Sequence, residues 1–346
     1  MRNPADDRGG GLLLHIRDLT VEYGQRGRPA FRALTGINLD IGTQETVGLV
    51  GESGAGKSTL GRAVLGITPV NSGTIHFAGR DITDARARER RQLSRELQVV
   101  FQDPYSSLNP TRTIGQTLSE TLAVHEPLSR RELEARVHKM LARVGLPPDA
   151  AARFPGDFSG GQRQRIAIAR ALMVEPQLVI CDEPVSALDL SVQAQVLNLL
   201  RELQQDLHVS YLFVSHDLAV VKYVSHRIVV LYRGRIVEEG DAAAIYGHPL
   251  HPYTQTLLNA APVPDPVRQK KRREARLAQP GDPANSTPSH AGCVFTERCP
   301  HASNICRTEE PHLQESRGRT RVACHHWREI AATHNGRAAD HEDSDT

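Results

Sequence analysis

Four short apolar runs stand out along the chain, at 46–50, 97–101, 178–181 and 211–214. Each is rich in Val, Leu, Ile or Phe and ends at a polar residue or a glycine, as buried strands do. Residues 33–41 alternate apolar and polar like a half-buried strand, and 12–17, 19–23 and 72–79 read as further strand material. Helical spacing appears between these runs. Residues 59–65 suit a helix packed on a sheet, and Val192, Val196, Leu199, Leu200 and Leu203 stripe another. Ser129 and Glu132 form a capping box for a helix carrying Leu133, Val137, Met140, Leu141 and Val144, which Gly145 is placed to stop. The pattern predicts an α/β domain with a mostly helical insertion over about 104–172. Pro104 and Pro110 break the start of that insertion into a loop, and the charged run 86–95 reads as a solvated helix face.

Chemistry gathers where strands end. The run 46–50 leads into Gly51-Glu52-Ser53-Gly54-Ala55-Gly56-Lys57-Ser58 and then a helix. The glycines let backbone N–H groups converge on a phosphate, and the helix N-terminus adds its positive dipole end. Lys57 supplies a full charge for β/γ oxygens, and the Ser58 hydroxyl can ligate Mg²⁺. Gln102 follows the second run, at the edge where ligands of open α/β sheets bind. Asp182 and Glu183 end the third run: one carboxylate suits Mg²⁺ and the other can polarise a water. His216 ends the fourth. Ser159-Gly160-Gly161-Gln162, opening a helix, is chemically a second phosphate-type site.

Length and composition add bounds. The 346 residues suit about two domains. A net charge of +2 argues for neither nucleic acid nor an acidic surface as partner. The polar start has no apolar segment of a signal peptide, and no stretch approaches the roughly 18 apolar residues that span a bilayer. A soluble or peripheral protein is expected.

The ordered set of motifs resembles the ATP-binding-cassette (ABC) ATPases over roughly residues 12–250. That resemblance implies a RecA-like α/β core, an antiparallel β subdomain and the helical insertion as a subdomain. It implies nucleotide contacts from Gly51, Ser53, Gly54, Ala55, Gly56, Lys57, Ser58, Thr59 and Asp182, adenine stacking on Tyr23 and Mg²⁺ contact from Ser58 and Gln102. Glu183 would activate water, His216 would sense the γ-phosphate, and Asp189 would lie at the contact between cassettes. Ser159, Gly160, Gly161 and Gln162 would serve the nucleotide held by a second cassette. Phe158 stands where the family more often has leucine. Separate membrane permease subunits are implied as partners, with this chain peripheral on the cytoplasmic face of the inner membrane. Residues 248–266 resemble the C-terminal extension of dipeptide/oligopeptide import ATPases, especially their F-type subunit. A heterodimeric cassette pair, two permeases and an extracytoplasmic solute-binding protein follow as expectations. Nickel or glutathione import is the alternative, and a soluble cassette ATPase acting on nucleic acid or ribosomes a more distant one.

The extension, 251–330, holds four of the five cysteines: Cys293, Cys299, Cys306 and Cys324. Their gaps of five, six and seventeen residues match neither common zinc nor common ferredoxin spacing, so spacing leaves the metal open. Little apolar sequence surrounds them, which suggests a metal staple in place of a core. Similar tails in peptide-import ATPases imply a [4Fe–4S] cluster. Zinc, with His301, His325 or His326 replacing a cysteine, stays the alternative. Residues 1–11 and 335–346 are expected to be disordered, and Val267 begins a basic linker running to Arg276.

Overall fold

The computed structural model describes residues 11–24, 30–260, 291–316 and 320–332. The expected disordered ends (Gly11 apart) and the basic linker lie outside the described residues. The chain divides into two compact units. One holds the chain to Val21, Asn38–Val47 and Ser58–Ser215; the other holds Glu22–Ile37, Gly48–Lys57 and the chain from His216.

In chain order, β1 (Leu12–Tyr23) is continuous where the pattern suggests two stretches. The interruption survives as a positive φ at Asp18 and a register shift between Arg17 and Thr20. β2 (Phe31–Gly42) alternates as expected, and β3 (Thr46–Val50) is buried at every position. Then come α1 (Lys57–Val64), β4 (Ser72–Phe77), β5 (Arg80–Asp81), α2 (Ala87–Leu93) and β6 (Leu97–Val100). The helical stretch holds α3 (Pro104–Ser107), α4 (Ile114–Ala123), α5 (Arg130–Arg143) and α6 (Gly160–Leu172). It is followed by β7 (Leu178–Asp182), α7 (Leu190–Leu207), β8 (Ser210–Ser215), α8 (Leu218–Val224), β9 (Arg227–Tyr232) and β10 (Arg235–Asp241). Then follow α9 (Ala242–Gly247), α10 (Pro252–Ala260), α11 (Asn304–Thr308), β11 (Gln314–Glu315) and β12 (Arg321–Val322), and residues 327–332 are again helical.

Within the first unit, β1, β4 and β5 are antiparallel, whereas β6, β7 and β8 are parallel. Val100 pairs with Cys181 and Asp182 with Val214, so β6 and β7 end at one edge, β6 two residues before Gln102 and β7 immediately before Glu183. The Ser129–Glu132 capping box forms, Val137, Met140 and Leu141 are buried, and Gly145 takes φ +71° to end the turn. One expectation fails here, and another holds with an exception. Residues 104–107 form a helical turn, because Pro104 at the first helical position lacks only an N–H that the helix would leave unpaired. The charged run 86–95 is not wholly solvated. Arg90 turns inward and donates to the carbonyls of Val64, at 2.9 Å, and Ile82. Desolvation lowers its pKa from the usual arginine value.

Within the second unit, β9, β10, β12 and β11 form an antiparallel series. Val322 of β12, Leu250, Cys324 and Ile330 make an apolar cluster, against which Trp327 and Ala331 pack.

Candidate functional site

The glycine loop is held in a conformation its sequence requires. A Cβ on Gly51 would stand 2.2 Å from the Leu231 carbonyl oxygen, and one on Gly56 would stand 2.6 Å from that of Ala33. Gly54 and Gly56 take φ +81° and +104°. Lys57 is buried, and its Nζ donates to the carbonyls of Gly51, at 2.8 Å, and Glu52, at 3.0 Å. Lys57 therefore closes the loop on itself while holding a positive charge beside it. Tyr23 is 43% exposed at the end of β1. His216 is exposed at the end of β8.

The parallel strand ends of the first unit place Asp182 against Ser58 of α1 and Glu183 against Gln102. Ser58 Oγ donates to Asp182 Oδ1 at 2.9 Å. Gln102 Nε2 donates to Glu183 Oε2 at 3.2 Å and lies 3.4 Å from Ser186 Oγ. Ser186 Oγ donates in turn to the Glu183 carbonyl at 3.1 Å. Glu183 adopts φ +48°, sparsely populated for a non-glycine residue, while its N–H bonds to the Val214 carbonyl at 3.0 Å. The strained backbone and the Gln102 bond together set the direction of the carboxylate. Hydroxyl, amide and carboxylate oxygens at 58, 102, 182 and 183 are a hard donor set, which fits Mg²⁺ and not a soft metal.

The Ser159–Gln162 motif caps α6. Gln162 N–H donates to Ser159 Oγ at 3.4 Å, and Ser159 N–H donates to Gln162 Oε1 at 3.0 Å. Gly161 is a packing requirement, since a Cβ there would meet Val192 Cγ1 at 2.3 Å. A Cβ on Gly160 would make only ordinary contacts, the nearest with Tyr105 Oη at 3.6 Å. Phe158 is buried beneath the Arg153 guanidinium, 4.4 Å from the ring centre. Asp189 caps α7, accepting from Val192 N–H at 3.0 Å and Ser191 Oγ at 2.7 Å. The Ser191 hydroxyl bond, with the backbone bond beside it, lowers its pKa.

The four tail cysteines do not form a metal centre. Among the described residues, no group of three or more His, Cys, Asp or Glu side chains could hold a metal ion. This overturns the expected [4Fe–4S] cluster and the zinc alternative at Cys293, Cys299, Cys306 and Cys324. All four are free thiols. Burial pushes Cys299 up to about 11 and Cys324 up to about 12, and it raises Cys293 too, so these thiols stay protonated near neutrality. Two of the three histidines are engaged elsewhere: His325 Nε2 donates to the Glu309 carbonyl at 3.0 Å, and His326 Nε2 bonds Ser303 Oγ at 2.8 Å. An apolar core replaces the staple. Phe295 is buried among Tyr232, Tyr253 and His251, with ring centres 5.2, 5.5 and 5.7 Å away, and Cys324 lies in the Leu250–Ile330 cluster.

Sequence reasoning missed Tyr253 and Arg298, both of which bond to Glu52 of the loop. No local pattern links positions 52, 253 and 298.

Fold and motifs together define a P-loop ATPase cassette. The ABC-transporter family model matches residues 34–186, and that of the oligopeptide/dipeptide transporter C-terminal region matches 237–306. The di/tripeptide transport ATP-binding protein DppF of Pseudomonas aeruginosa is 46% identical over 321 residues, spanning 91% of this chain and 97% of the relative. The oligopeptide transport ATP-binding protein OppF of Salmonella typhimurium is 45% identical, spanning 88% and 93%. Among solved structures, cbiO1 from Clostridium perfringens, part of an ABC transporter complex, superposes with a TM-score of 0.61 at 30% identity, over 68% of this chain and 90% of that one. A dimeric ATP-binding cassette, MJ0796, bound to ADP and Pi gives 0.61 at 27% identity, over 66% and 99%. The chain belongs to the ABC-transporter ATP-binding proteins that carry the oligopeptide/dipeptide transporter C-terminal region.

Proposed function

We propose that this chain hydrolyses ATP to energise import of di- and oligopeptides through a membrane permease. The observation that carries this reading is the pairing of an intact set of cassette motifs with a C-terminal region of the oligopeptide/dipeptide type, in relatives named for peptide transport along nearly their whole length.

Each residue has a chemical task on this reading. Loop amides from Gly51 to Thr59 and the Lys57 ammonium bind the β- and γ-phosphates, and the exposed Tyr23 ring stacks on the adenine. Ser58, Asp182 and Gln102 would hold Mg²⁺, which supplies charge neutralisation to the phosphate oxygens. Glu183 accepts a proton from the attacking water, kept in line by Gln102. His216 contacts the γ-phosphate. Ser159 to Gln162 present a capped helix N-terminus to the nucleotide of a second cassette, and Asp189 stands at the contact between the two. Closure then requires ATP at the shared site, and opening follows hydrolysis.

The partners proposed are a second, different cassette, two permease subunits and, through them, an extracytoplasmic solute-binding protein. Among the described residues no helix is long and apolar enough to cross a membrane. A peripheral position on the cytoplasmic face fits this. We assign 12–250 to the cassette, about 104–172 to its helical subdomain and 251–330 to the extension. The test is genetic. Cells lacking this chain should fail to use a dipeptide or oligopeptide as sole source of a required amino acid, and the wild-type chain should restore growth. Undiminished peptide use without it would refute the reading.

A further inference from the structure

Two residues of the C-terminal region converge on the second position of the phosphate loop, all within the second unit. The Glu52 N–H donates to Tyr253 Oη at 2.8 Å. The Arg298 guanidinium meets the Glu52 carboxylate with both terminal nitrogens, Nη1 to Oε2 at 2.9 Å and Nη2 to Oε1 at 3.1 Å. This fork-to-fork geometry fixes direction as well as distance. The Arg298 side chain is 14% exposed and that of Glu52 36%, so water screens the pair only in part.

Both partners are themselves anchored. Tyr253 is fully buried, with its ring centre 4.5 Å from that of Tyr232 and 5.5 Å from that of Phe295. Arg298 ends the one-turn helix Thr296–Arg298, directly after Phe295, and its guanidinium lies 5.6 Å from that ring centre. Thr296 Oγ1 donates to the carbonyls of Cys293 and Cys306, each at 2.8 Å, which holds the turn from below. Lys57 Nζ in turn donates to the Gly51 and Glu52 carbonyls. The Gly51–Glu52 turn is thus bonded through its carbonyls, an amide and a side chain.

A carboxylate in a loop that cradles phosphate is electrostatically adverse, because it repels the anion the loop must bind. Arg298 supplies the compensating charge. We infer that Arg298 and Tyr253 are positioning residues for ATP binding: they hold the Gly51–Glu52 turn in register and mask the Glu52 charge, which makes the C-terminal region a support of the nucleotide loop. This rests on the phosphate-loop reading above. The Glu52 bond is also the leading cause that raises the Arg298 pKa above the usual arginine value.

The test is ATP affinity of the full-length chain, with ATPase kinetics in the assembled transporter. Arg298→Gln should weaken ATP binding about tenfold, raising KM while kcat changes less than about threefold. Adding Glu52→Gln should restore most of the affinity, because it removes the exposed negative charge. A merely structural loss would not be rescued by that second change. Wild-type affinity in Arg298→Gln, or no rescue by Glu52→Gln, would overturn the inference. Should Arg298→Gln not fold, Tyr253→Phe decides: it deletes one oxygen from a buried ring and should lower ATP affinity about threefold, and wild-type affinity there would overturn the inference. Lys57→Ala serves as the control. If it too binds ATP normally, the phosphate-loop reading itself fails; if it alone loses ATP, only the role of Arg298 and Tyr253 falls.

Discussion

Gln102 Nε2 donates to Glu183 Oε2 at 3.2 Å, so the amide after one parallel strand orients the carboxylate after its neighbour. Glu183→Gln preserves length and an oxygen facing Gln102 but cannot take up a proton. Turnover in the assembled transporter should fall roughly 10²-fold or more, with ATP binding retained. Single-turnover kinetics beside a binding titration checks both halves, and wild-type turnover would remove Glu183 from the proton-accepting role.

Lys57→Ala deletes a buried ammonium and its two bonds to the loop carbonyls. The expected outcome is a loss of ATP affinity of about 10²-fold, read by titration of the purified chain. Unchanged affinity would count against the phosphate-loop assignment.

Gly161→Ala should be destabilising by about 1–3 kcal/mol, because its Cβ would enter the space of Val192. Val192→Ala should recover part of that loss by clearing the methyl group. Denaturant unfolding of the two single variants and the double variant measures the coupling. Additive losses would show that the contact is not the cause.

Glu238 brings a pH dependence. It is fully buried on β10, accepting the N–H groups of Leu250 at 2.7 Å and His251 at 3.0 Å, and burial pushes its carboxyl from 4.5 up to about 7. The folded chain therefore keeps a proton that the unfolded chain releases near pH 4.5. The stability this contributes is complete below that pH and is lost as pH rises through 7, amounting to roughly 3 kcal/mol. Glu238→Gln cannot titrate, so its melting temperature should gain on the wild type between pH 5 and 8. Parallel profiles would contradict the raised value.

Much of the cassette was legible because its chemistry is local. The glycine loop, the capping boxes at Ser129 and Ser159 and the carboxylates after 178–181 are each written in a few adjacent residues. The end of β7 beside that of β6 followed from parallel pairing, which places Gln102 near Glu183. The tail was misread for the opposite reason. Its core draws Tyr232, Leu250 and Tyr253 from before the tail cysteines, Phe295 and Val322 from among them and Ile330 from beyond them. No window of sequence contains enough of these residues to announce a core, and clustered cysteines then invited a metal. Arg90 and Arg298 were hidden similarly, since charge suggests exposure until a distant carbonyl or carboxylate is placed beside it.

The most direct test is peptide uptake into proteoliposomes holding the assembled transporter with this chain, a labelled dipeptide or oligopeptide outside and ATP on the nucleotide face. The wild-type complex should accumulate peptide in step with ATP hydrolysis, and a complex carrying Glu183→Gln in this chain should bind ATP yet accumulate little. Uptake that proceeds equally with the Glu183→Gln subunit, or ATP hydrolysis that moves no peptide, would contradict the account.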